Sequence, residues 1–147
     1  MSADLPLDEL DLLISHTRAA LSFHADDDPT CLALLGDLGH LLRTRFLRFG
    51  GIGDIDEAII LYQSSLCDSS GEGWHHRPDI LSHLADALVC RFYRYGRVDE
   101  LSEAVAMYYA ALDLLPEGDP RRVRVLEEIK QAENDLDGLE RIAPTQY

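Results

Sequence analysis

Apolar residues return every three or four positions along most of the chain. Leu35, Leu38, Leu42, Phe46 and Phe49 fall on one side of a helical wheel, and Ile55, Ala58, Ile59, Tyr62 and Leu66 do the same further on. A period near 3.6 residues is what an α-helix with one buried face requires. Punctuation agrees with this phase. Asp28-Pro29 and Asp119-Pro120 read as an N-cap followed by proline at the first helical position. Asp54-Ile55-Asp56-Glu57 has the spacing of a capping box, and Gly50 and Gly96 stand where glycine ends a helix. The pattern predicts an all-α chain of about six helices, over 7–24, 29–49, 54–68, 78–95, 98–115 and 120–140.

The helices repeat. A shift of 46 lays Leu38–Leu66 on Leu84–Leu112 without gaps, with ten identities in 29 positions. Among them are Arg45/Arg91, Phe46/Phe92, Arg48/Arg94, Gly50/Gly96, Glu57/Glu103, Ala58/Ala104 and Tyr62/Tyr108, and Phe49/Tyr95 and Ile52/Val98 are conservative pairs. A shift of 45 carries Leu10–Leu21 onto Ile55–Leu66, and Arg77, Leu81 and Leu84 onto Arg122, Leu126 and Ile129. The chain thus reads as a half-unit (7–24), two whole units (29–68 and 78–115) and a closing half-unit (120–140), all within one domain over 1–147. Short turns between helices predict antiparallel pairs.

These residues resemble the tetratricopeptide repeat. Its first-helix pattern is met by Leu35, Leu38, Gly39, Leu42 and by Leu81, Leu84, Ala85, Leu88; its second-helix pattern by Ala58, Tyr62, Ser65 and by Ala104, Tyr108, Ala111, Pro116. The head of the first helix carries Leu in place of the usual aromatic, and the unit is about twelve residues longer than the ordinary repeat of roughly 34. About seven of the extra residues lie between Gly39 and Ala58, close to two helical turns, so a lengthened first helix keeps its faces in phase. This long variant resembles the arrays of fungal and some bacterial multidomain proteins. The resemblance implies a short right-handed solenoid whose first helices line a concave, peptide-binding face.

The ends of the array differ. A shift of 45 places Glu133 and Asp137 where Leu88 and Phe92 predict apolar residues, which suits a solvated C-terminal capping helix with Leu126, Ile129, Leu136 and Leu139 turned inward. At the N-terminus, Leu10, Leu13, Ile14 and Leu21 have one neighbouring pair to pack on. They are candidates for an interface with a second copy, as in a homodimer, unless the chain is a fragment of a longer protein.

Charge narrows the partners. The 147 residues include 27 acidic and 13 basic ones, for a net charge of −14, against the phosphate-neutralising surface that nucleic acid needs. Lys130 is the one lysine; the other twelve cations are arginines, suited to bidentate pairing with carboxylates. Cys31, Cys67 and Cys90 leave an odd thiol and no disulfide framework, so a reducing, cytoplasmic setting is expected. No apolar run of about 18 residues predicts a membrane span.

Arg48 and Arg94 recur in register and are candidates to hold acidic groups of a partner, whereas Arg45 and Arg91 read as internal partners of Glu57 and Glu103. Between the repeats, His40, Arg43, Thr44 and Leu47 correspond to Asp86, Val89, Cys90 and Tyr93. Packing dictates these variable positions least, and His40, Arg43, Thr44, Leu47, Asp86, Cys90 and Tyr93 join Arg48 and Arg94 as the candidate binding surface.

Chemistry is scarce. Trp74-His75-His76 with His83 lacks ligand spacing for a metal, and Asp26-Asp27-Asp28 lacks the alternation of a calcium loop. Gly50-Gly51-Ile52-Gly53 lacks the Lys and Ser/Thr of a phosphate loop, and no nucleophile stands with a base. The expectation is a non-catalytic scaffold or adaptor for protein or peptide, with no cofactor or metal. Self-association, or a regulatory segment of a larger sensor protein, is the alternative.

Overall fold

Glycine sets the elbows. Gly50 and Gly96 take φ of +69° and +76°, and their amides donate to the carbonyls of Phe46 and Phe92 at 2.9 and 2.7 Å. A left-handed residue just past the last turn satisfies carbonyls the helix leaves open, and glycine adopts it without a Cβ clash. In the computed structural model, which describes residues 4–24, 29–66 and 76–142, six helices and no strand are present among the described residues. They are α1 (Leu7–Ser22), α2 (Pro29–Phe49), α3 (Asp54–Leu66), α4 (Arg77–Tyr95), α5 (Val98–Leu114) and α6 (Arg121–Ile142). The sequence-derived limits hold to within two residues. Asp26–Asp28, Cys67 and Trp74-His75 lie outside the described residues.

The chain divides into two compact units, Met1–His76 and Arg77–Tyr147. In the first, α1 packs on α2 and α2 on α3. Arg45, near the end of α2, reaches Asp54 at the start of α3, while Gly39 lies against Tyr62 in the middle of it, so the two helices run antiparallel. Leu10, Ile14, Leu38, Leu42, Phe46, Ile55, Ala58, Ile59 and Tyr62 form the core. The small residue of the repeat pattern has a direct steric reason: a Cβ on Gly39 would sit 2.5 Å from the Tyr62 ring. The fully buried tyrosine fills the space that the missing side chain leaves.

The second unit repeats this. Leu84, Ala85 and Leu88 of α4 and Leu101, Ala104, Tyr108 and Ala111 of α5 are buried. Arg91 and Asp86 of α4 reach Glu100 and Tyr108 of α5 respectively, again antiparallel. Helix α6 packs on α5. Asp119 accepts from the Arg121 amide at 2.9 Å, so it serves the N-terminus of α6. That hydrogen bond and the Arg121 guanidinium hold the Asp119 carboxyl down at about 2.

The inward stripe of α6 differs from the sequence expectation. Val125, Ile129 and Ala132 are buried and Leu136 and Leu139 half-buried, whereas Leu126 is 47% exposed. Spacings of 4, 3, 4 and 3 keep Val125 in the stripe, and Leu126 lies about 100° round the helix from it. Glu133 is not merely a solvated replacement either, because it accepts the Tyr109 hydroxyl at 2.6 Å.

Candidate interaction surface

Each unit buries an acid at the head of its second helix and holds it with an arginine from the first. Arg45 donates through Nε and Nη2 to both oxygens of Asp54, each at 2.7 Å, and through Nη1 to Asp11 of α1 at 2.8 Å. At the equivalent place Arg91 Nη2 lies 2.7 Å from Glu100. Asp54 and Glu100 are 46 residues apart, as Arg45 and Arg91 are. Both acids are buried, and a buried carboxylate is tolerated when a guanidinium fork neutralises it.

This corrects two expectations. Arg45 and Arg91 are internal, but their partners are Asp54 and Glu100 rather than Glu57 and Glu103; Glu57 takes Arg18 of α1 at 2.7 Å. The capping box is also displaced. The Asp54 carboxylate faces Arg45 and the Glu57 carboxylate faces Arg18. An ion pair is stronger than a neutral cap hydrogen bond.

With Arg45 and Arg91 held inside, the outer side of each first helix can be read residue by residue. On α2, His40 and Leu47 are exposed and Arg43 and Thr44 half-buried, on one face; the Thr44 hydroxyl donates to the His40 carbonyl at 2.9 Å. Arg48 is exposed, its guanidinium 4.9 Å from the Phe49 ring centre, and it donates to the Leu5 carbonyl. On α4, Tyr93 and Arg94 are exposed and Cys90 is half-buried. The Tyr93 hydroxyl donates to Asp135 of α6, and this hydrogen bond, with burial second, pushes its pKa up to about 12.

Asp86 departs from its expected place on the surface. It is 7% exposed, accepts from the Tyr108 hydroxyl and from Arg124 of α6, and lies 3.8 Å from His83 Nδ1. Burial first, then the Asp86 charge, pushes the Tyr108 pKa well up. Asp86 therefore locks α4, α5 and α6 together.

The N-terminal interface candidates divide as well. Leu10 and Ile14 are buried, Leu21 is half-buried and Leu13 is exposed. The exposed apolar residues of α1 are Leu7, Leu12 and Leu13.

Sequence reasoning placed Phe49 on the buried face and gave Tyr95, Ile52 and Val98 no surface role. All four are exposed. Each unit thus ends its first helix in an exposed apolar residue, an arginine and an exposed aromatic: Leu47-Arg48-Phe49 and Tyr93-Arg94-Tyr95. An exposed β-branched residue follows after the elbow, Ile52 and Val98. The available signal was position, since a residue in the last helical turn before a terminating glycine need not follow the buried stripe.

Among the described residues, no group of three or more His, Cys, Asp or Glu is placed to hold a metal ion, and no helix is long and apolar enough to cross a membrane. No protein-family model, curated protein or solved structure matches the chain.

Proposed function

We propose that this chain is a non-catalytic binding module of the tetratricopeptide kind, its antiparallel helix pairs stacking as a short right-handed solenoid. It holds a protein or peptide segment through the outer faces of α2 and α4. One observation carries the reading: Leu47 and Tyr93, 46 residues apart, are each 61% exposed and each followed by an exposed arginine. Apolar side chains supply contact area to a partner, and an arginine supplies charge-assisted hydrogen bonds that fix its register. Preformed helices present both with little rearrangement.

The test is capture from a native lysate with the wild-type chain and with an Arg48→Ala/Arg94→Ala double variant. Proteins lost from the variant bait, with the thermal midpoint unchanged, are the expected result. The same proteins retained by both baits would remove the reading. Self-association is the competing reading, favoured by Leu12 and Leu13 exposed on α1. A mass that stays monomeric at high concentration excludes it.

A further inference from the structure

The second half of each first helix and its elbow form a basic island in an acidic chain. Residues 38–53 and 87–98 contain no Asp or Glu, yet they hold six of the twelve arginines: Arg43, Arg45, Arg48, Arg91, Arg94 and Arg97. With 27 acids in the sequence, this segregation gives the two elbows a local charge opposite to that of the molecule as a whole.

In the first unit the island is already engaged by the chain itself. The stretch Asp4-Leu5-Pro6-Leu7-Asp8-Glu9-Leu10-Asp11 alternates acids with apolar residues. Arg48 donates to its Leu5 carbonyl and Arg45 to its Asp11 carboxylate at 2.8 Å. An acidic–apolar segment thus lies on an arginine-bearing elbow flanked by exposed apolar side chains. In the second unit the elbow keeps the same parts. Tyr93, Tyr95 and Val98 are exposed, Arg94 is exposed and unengaged among the described residues, and Arg97 is 65% exposed beside Glu100.

We propose that the second elbow, formed by Tyr93, Arg94, Tyr95, Arg97 and Val98, docks an acidic–apolar segment of a protein partner, of the chemistry that Asp4–Asp11 offers to the first elbow. The inference rests on the binding-module reading and names the partner's character. Carboxylates of the segment pair with Arg94 and Arg97, and its apolar side chains cover Tyr95 and Val98. Arg94 and Arg97 are at the surface, so replacing them leaves the packing of α4 on α5 intact.

The experiment titrates the full chain into a fluorescent octapeptide with the sequence of Asp4–Asp11. Wild type binds, more weakly as salt rises; Arg94→Ala/Arg97→Ala weakens binding at least about tenfold; Arg48→Ala changes it less than about twofold. Helical circular dichroism is the same in all three. Loss of binding with Arg48→Ala but not with Arg94→Ala/Arg97→Ala puts the peptide on the first elbow and overturns the inference. So does an absence of binding at millimolar peptide, or tighter, Arg94-dependent binding of an oligonucleotide or an anionic vesicle. If the peptide fails while lysate proteins are still lost from the Arg48/Arg94 variant, the inference falls and the binding-module reading stands; if both fail, both fall.

Discussion

Arg45 stands where three helices meet, with one guanidinium serving Asp54 of α3 and Asp11 of α1 from its seat on α2. The pair with Asp54 is largely withdrawn from water, so removing the cation leaves a buried carboxylate without its counter-charge. Arg45→Ala is therefore expected to destabilise the fold by about 3 kcal/mol in urea unfolding, at the lower end of what breaking a buried ion pair costs. Arg48→Ala, three residues on and exposed, is expected to cost less than about 0.5 kcal/mol. Equal costs for the two would contradict the division into an internal and a surface arginine. Recurrence in the sequence marked both arginines, but nothing in it separated Asp54 from Glu57 as the partner. Both acids lie within one helical turn, and only the approach of α1, which brings Arg18 to Glu57, assigns them.

At the level of the element, phase decides what a helix face does. Val125 is 3% exposed and Leu126 is 47% exposed, although both are large aliphatic neighbours on α6. Val125→Asp places a charge against α5 and is expected to unfold the second unit or to lower its stability by more than about 3 kcal/mol. Leu126→Asp is expected to shift the thermal midpoint by no more than a degree or two. The opposite order would mean that α6 is rotated by about one residue, as the repeat alignment with Leu81 suggested. On α1, likewise, Leu10 and Ile14 pack inward while Leu12 faces out. Repeat alignment carries a position from one helix to another, but the end helices of an array have different neighbours, and their angular setting follows those neighbours.

Across the molecule the tyrosines couple stability to alkaline pH. The Tyr93 pKa is held up at about 12 by its hydrogen bond to Asp135, and those of Tyr108 and Tyr109 are also raised, Tyr108 chiefly by burial and Tyr109 chiefly by its hydrogen bond to Glu133. A phenol with a higher pKa folded than unfolded stabilises the fold fully below about pH 10, and the contribution is lost as pH climbs through the folded value. The denaturation midpoint should hold steady from about pH 8 to 9.5 and fall between about 10 and 12. Tyr108→Phe, which removes the titrating hydroxyl beside Asp86, should start lower and fall less steeply. Parallel curves for the variant and wild type would rule out this role for Tyr108.

The sequence by itself determined the six helices, their elbows and most of the buried stripe, because periodicity, proline and glycine act within a few residues of where they stand. It also singled out Leu47, Arg48, Tyr93 and Arg94, since in-register recurrence is visible without a structure. Only the tertiary structure decided that Asp86 is locked between Tyr108 and Arg124, that Leu10 is interior, and that Phe49 and Tyr95 face water. Those outcomes depend on which side chain arrives from another helix. A buried acid is stable only if a cation or hydroxyl reaches it, and an apolar residue is covered only if a neighbour lies over it.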